Sequence, residues 1–133
     1  MVNTPIIQTQ TKTKTHTEKG MTVYIVQEMR GRNVTDATNF GDLEILITAD
    51  EQTASFSTQP TIRKLNRMLA NFSDDDYLLL TGDPAAIALA AAVAARHNSG
   101  RFKMLKWDRQ EAKYFPLSAN LNTKLGEIVN GEL

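Results

Sequence analysis

Residues 74–117, DDDYLLLTGDPAAIALAAAVAARHNSGRFKMLKWDRQEAKYFPL, spell out a strand, a tight turn, an alanine-rich helix, a second strand and a hairpin. Tyr77 to Leu80 is an unbroken apolar run, as expected of a strand covered on both faces. Gly82 lets the chain turn without a Cβ clash. Asp83 supplies an N-cap, and Pro84 suits the first helical position because its absent N–H would have no partner there. Ile87, Leu89, Ala90, Ala91, Val93 and Ala94 continue a helix whose small side chains predict close packing on a sheet, and Gly100 serves as its C-terminal cap. Phe102 to Trp107 reads as the next strand and Asp108 to Ala112 as a turn. Lys113 to Leu117 then returns as an antiparallel edge strand ending in Pro116.

Working outward, Thr22 to Met29 (TVYIVQEM) is β-branched and aromatic, hence a strand, and Arg30-Gly31-Arg32-Asn33 breaks it. Leu43 to Thr48 (LEILIT) forms another strand, with Leu43, Ile45 and Ile47 on one face. Pro60 and Thr61 open a helix that ends near Asn71. In it Ile62, Leu65, Met68, Leu69 and Phe72 fall at helical spacing and Arg63, Lys64 and Arg67 take the outer face. Two strand–helix–strand crossovers predict parallel pairing of the strands at 43–48, 76–81 and 102–107, with the first strand and the hairpin strand extending the sheet.

The expected architecture is a single small α/β domain over residues 21–133. It has a mixed, mostly parallel sheet of about five strands, two main helices and a C-terminal β-hairpin. Residues 1–20, rich in threonine, read as a flexible leader, and Leu121, Leu125 and Ile128 as a short C-terminal helix.

The 133 residues are 41% hydrophobic and 23% charged, which suits one core in a globular domain. No apolar run reaches the roughly 18 residues of a membrane span, so no membrane association is expected. The chain has no cysteine, which excludes disulfides, thiolate nucleophiles and zinc–thiolate sites built from it. A formal net charge of zero removes any global field for polyanions. Residues 96–113 nevertheless concentrate Arg96, Arg101, Lys103, Lys106, Arg109 and Lys113 against only Asp108 and Glu111.

The Thr81-Gly82-Asp83-Pro84 turn has the strand–turn–helix form that can cradle a phosphate on helix N-terminal amides. It lacks both GxxxxGK[ST] and GxGxxG, and Asp83 puts negative charge where an anion would sit. Asp74, Asp75 and Asp76 are adjacent and cannot converge on one ion without a sharp bend, so they read as a solvated turn. His16 and His97 have no partner at triad or ligand spacing, and no GxSxG is present. Together these point away from an enzyme and imply neither a cofactor nor a metal.

Lys103, Lys106, Trp107, Arg109, Lys113 and Tyr114 form the sharpest candidate for nucleic-acid binding, because cations interleaved with aromatics hold phosphates and stack bases. The plainer reading pairs Trp107 with Tyr114 or Phe115 across the hairpin and leaves the lysines guarding an edge strand. Strand alternation puts Lys103 and Trp107 on one face and Lys106 on the other.

The segments MTVYIVQE, FSDDDYLLLTGDPAAIALAAAVAA and GRFKMLKWDRQEAKYFPL resemble a group of small uncharacterised proteins of tailed bacteriophages, over residues 21–117. The resemblance implies a phage product acting in the bacterial host cytoplasm and brings no reaction, ligand or site residues with it.

Three readings follow. The first is a non-catalytic, homo-oligomeric accessory protein acting on phage or host DNA metabolism or transcription, through nucleic-acid or protein contacts at the hairpin. The second is a nucleotide- or small-molecule-binding α/β domain with its ligand near Gly82 and Asp83, at the carboxyl ends of the parallel strands. The third is a pure protein-interaction module for host takeover, pairing through an edge strand or the leader.

Overall fold

The computed structural model describes residues 20–51 and 58–122. The leader and most of the expected C-terminal helix lie outside the described residues. Five strands form one sheet in the order β2-β1-β3-β4-β5. They are β1 (Thr22–Gln27), β2 (Asp42–Ile47), β3 (Tyr77–Leu79), β4 (Arg101–Asp108) and β5 (Lys113–Asn120). The first four are mutually parallel, and β5 runs antiparallel to β4. Two helices cross over the sheet, α1 (Gln59–Met68) and α2 (Pro84–His97). This is the small α/β domain expected, with one change of order. β1 does not extend the sheet; it lies between β2 and β3.

The central place of β1 has a physical cause. Val23, Tyr24, Ile25 and Val26 are all buried, so both faces of the strand need cover, and only an interior strand receives it on both sides. Leaving β1, the chain steps one way to β2; leaving β2, it passes over β1 to β3 and continues to β4. When parallel crossovers keep one hand, reversing direction moves the connection to the opposite face. The packing agrees. Leu65 and Leu69 from the α1 region and Ala86, Ala90 and Ala94 of α2 cover Tyr24, Val26, Leu46 and Leu78. The connection from β1 to β2, with its 3-10 helix at Thr35–Phe40, covers Val23, Ile25, Leu79 and Leu105 instead.

Local chemistry starts and stops these elements. In α2, Asp83 accepts the Ala85 N–H at 3.0 Å, and Gly100 (φ +82°) donates its N–H to the Ala95 carbonyl at 2.7 Å. Ala86, Ala90 and Ala94 recur every four residues, forming a stripe of small side chains that lets the helix axis approach the sheet. In α1, Leu65 is fully buried, and its removal from water contributes about 2 kcal/mol.

β5 continues through Pro116 to Asn120, three residues beyond the expected end. The Leu105 carbonyl accepts the Leu80 N–H at 3.1 Å, so the polar backbone groups of Leu105 face β3. Pro116, opposite Leu105, therefore sits in a non-hydrogen-bonded pair with its missing N–H directed away from β4, where the ladder loses nothing.

The aspartate run departs from the solvated turn expected. Asp75 is exposed, but Asp76 is fully buried. Its carboxylate accepts the Thr22 N–H at 3.0 Å and the Ser73 N–H at 2.9 Å, joining the start of β1 to the turn before β3. Asp74 pairs with Arg101 at 3.1 Å and accepts from Asn98 at 2.8 Å.

Candidate functional site at the strand switch point

Where the strand order reverses, between β1 and β3, the connections leave on opposite faces and open a crevice at the carboxyl ends of the strands. Ligands of open α/β sheets bind there. In this chain the crevice is a cavity of about 240 Å³, lined from the sheet by Ile25, Ile45 and Thr81 and from the loop after β1 by residues 28–32 and Val34. The loop folds over the strand ends through a tight turn. Arg32 N–H donates to the Met29 carbonyl at 3.1 Å, and Gly31 takes φ +79°, a left-handed angle that glycine adopts without strain. Asn33 then accepts the Thr35 N–H at 2.8 Å and starts the 3-10 helix.

Thr81 is the residue that sets this cavity apart. The residue is 5% exposed, and its buried Oγ1 has no hydrogen-bond partner among the described residues. A buried hydroxyl without a partner costs on the order of 1–3 kcal/mol; among the described residues Thr22, away from the cavity, has the other. Around it the floor is apolar and the rim is charged. Arg30 is ion-paired with Asp50. The Glu28 carboxylate accepts the Ala49 N–H at 3.1 Å. Arg32 acts on the Tyr114 phenol: burial pushes that phenol up, Arg32 pulls it down, and Asp36 adds a smaller push up.

The neighbouring Gly82–Asp83 turn is closed by its own side chains. Asp83 N–H donates to Gln27 Oε1 at 2.8 Å, and the Asp83 carboxylate caps Ala85. At Gly82, with φ +105°, a Cβ would lie 2.4 Å from the Gln27 Cβ. The place where an anion would meet the helix amides is thus occupied by Gln27 and Asp83. In a second cavity of about 310 Å³, at the other end of the sheet, Asp74 and Arg101 pair with each other and Lys103 lies over the Tyr77 ring.

The hairpin residues do not share one surface. Trp107 and Tyr114 stack edge-to-face with centroids 4.8 Å apart, and Tyr114 is buried. Lys103 lies 4.2 Å over the Tyr77 ring on the same sheet face, while Lys106 is exposed on the other face opposite Phe115. Arg109 and Lys113 are exposed at the turn, which Asp108 holds by accepting the Gln110 N–H at 2.9 Å. Lys106, Trp107, Arg109 and Phe115 do line one shallow cavity of about 300 Å³ at the hairpin tip. Among the described residues, no cluster of carboxylates and histidines suits a metal ion, and no helix is long and apolar enough to cross a membrane.

Glu28, Arg32 and Thr81 were not singled out from the sequence. The signal for Thr81 was there: it follows directly on Tyr77–Leu80, so a polar residue stands at the end of a strand covered on both faces.

Fold and cavity together define a small doubly wound α/β domain with a pocket at its switch point. The sequence profile of the Phage Pam3 gp32-like protein family matches residues 21–121, and the chain belongs to that family. No curated protein and no solved structure matches it.

Proposed function

We propose that this phage protein is a small-molecule-binding domain whose ligand seats in the switch-point cavity, over Ile25 and Ile45 and against Thr81. The observation that carries this reading is the cavity at the reversal of the sheet, lined by the buried Thr81, whose hydroxyl has no hydrogen-bond partner among the described residues. A rotation of the Thr81 side chain would offer that hydroxyl to a ligand in the cavity, which would supply the missing hydrogen bond. Gln27 and Asp83, which occupy the amides at the adjacent helix start, favour this cavity over a phosphate site there. The test is a small-molecule fragment screen against the 15N-labelled full chain. Fragments that shift the Thr81 and Gly31 amides together support the site, and a library that leaves both unmoved rejects it.

A second reading keeps nucleic acid or a phage or host protein at the hairpin tip, favoured by the exposed Lys106, Arg109 and Lys113 beside Trp107. Binding of this kind weakens steeply with salt, and Lys106/Arg109/Lys113→Ala should weaken it further. Fluorescence anisotropy showing no change with single- or double-stranded oligonucleotides at low salt removes the nucleic-acid version.

A further inference from the structure

We infer that residues 123–133 dock on the helix-side face of the β4–β5 hairpin, seating Leu125 and Ile128 on Met104 and Leu117 and bringing Glu132 to Lys106. The inference starts from an apolar face that the helices leave without cover. Phe102 stands opposite Ala119, Met104 opposite Leu117 and Lys106 opposite Phe115, all on the face that carries α1 and α2. The helix-side core reaches Phe102 and stops there. Among the described residues no member of β5 joins it, and Met104 joins neither core. Leu117 is 38% exposed. Leu121, whose N–H donates to the Gly100 carbonyl at 2.8 Å, continues the row and is 66% exposed. A contiguous apolar row of this kind marks a surface that something covers.

The chain itself supplies the occupant. Asn120 accepts the Asn122 N–H at 2.9 Å, and the Asn122 side chain donates to the Ser99 carbonyl at 2.8 Å. The chain therefore turns at the foot of this face, tied to the loop after α2. Beyond the turn, Leu125, Ile128 and Glu132 recur at intervals of three and four, the spacing of one helix face. A helix from Thr123 to Glu132 rises about 14 Å, and the strand from Asn120 back to Phe115 covers about 17 Å. The order of groups matches as well. Two apolar residues and then a carboxylate meet an apolar row that ends at the exposed Lys106, which has no ion pair among the described residues.

A second copy of the chain fits this face less well. A stable interface between chains takes roughly 20–30 residues a side, far more than this short row. Pairing along the outer edge of β5 is no better, since Pro116 removes an N–H from the middle of that edge. Residues 123–133 are already tethered at Asn122 and avoid the entropy of bringing two chains together. Docked there, they cover the Lys106 and Phe115 side of the hairpin-tip cavity, so a partner at that cavity must displace them.

The test reads NOEs in the full chain with its Ile, Leu and Met methyl groups 13C-labelled. NOEs from Leu125 and Ile128 to Met104 and Leu117 are expected, and in a mixture of labelled and unlabelled chains they should stay within one chain. Leu117→Asp, at an exposed edge position, should keep the fold and erase them, leaving Ile128 at its random-coil shift. Ile128→Asp should speed hydrogen exchange of the Leu117 and Ala119 amides, which bond to β4, on the order of tenfold. Random-coil shifts for Leu125 and Ile128 in the unaltered chain, without these NOEs, overturn the docking. NOEs that cross between chains overturn it as well and give the face to a second copy.

Discussion

The side-chain oxygen of Gln27, at the end of β1, accepts the backbone N–H of Asp83 at 2.8 Å, where β3 gives way to α2. Two strand ends meet at this bond, and the backbone of Gly82 passes directly over the Gln27 Cβ. The turn that most resembles a phosphate cradle is therefore a piece of structural closure, and the open cavity lies beside it.

Gly82→Ala should be strongly destabilising. The new Cβ would stand 2.4 Å from the Gln27 Cβ, at a backbone φ of +105° that side chains disfavour. Strain and overlap together should cost on the order of 3 kcal/mol, read as a lower midpoint in urea unfolding. An unchanged midpoint would show that the turn relaxes freely.

Asp76→Ala removes the acceptor for the buried Thr22 N–H and for the Ser73 N–H. The expected loss is about 3 kcal/mol, whereas Asp76→Asn, which keeps one acceptor oxygen, should lose less. Equal losses for the two variants in urea unfolding would count against the hydrogen bonds as the cause.

Thr81→Val should stabilise the ligand-free protein by about 1 kcal/mol, because it replaces a partnerless hydroxyl with a methyl group of similar shape. A fall in melting temperature instead would mean that the hydroxyl has a structural partner. Higher stability combined with weaker fragment binding is what a ligand site predicts.

Stability should fall at alkaline pH. Burial, with Asp76 and Glu44 adding negative charge, pushes the Tyr24 phenol far above its usual range; burial also raises Tyr114. Raised folded values favour the neutral phenol, so this contribution is fully present below the unfolded value of about 10 and is lost as pH rises through the folded ones. Phenolate absorbance against pH should show Tyr24→Phe deleting a late-titrating group. Arg32→Gln should raise the Tyr114 value further, since Arg32 opposes its upward shift.

Much of the fold was legible because its signals act within a few residues. Asp83 and Pro84 start α2, Gly100 ends it, and the hairpin brings Trp107 onto Tyr114 across the sheet. The strand at Thr22–Gln27 was equally plain as a strand, yet its four consecutive apolar residues, Val23 to Val26, were not read as the mark of an interior position. Asp76 looked like one of three solvated carboxylates. What buries it is the Thr22 N–H, 54 positions away in the chain.

For the candidate site the division is sharper. Sequence alone determined the element types, the absence of cysteine chemistry and the basic character of the hairpin, since composition, period and turn residues carry these locally. It also spelled out Glu28, Arg32 and Thr81, without indicating that they share a cavity. Only the tertiary structure decided that, by inserting β1 between β2 and β3 and sending its two flanking connections to opposite faces. The same packing turned the Tyr114 ring inward. Strand order depends on how two apolar faces are covered at once, a balance over contacts distant in sequence, and no local pattern encodes it.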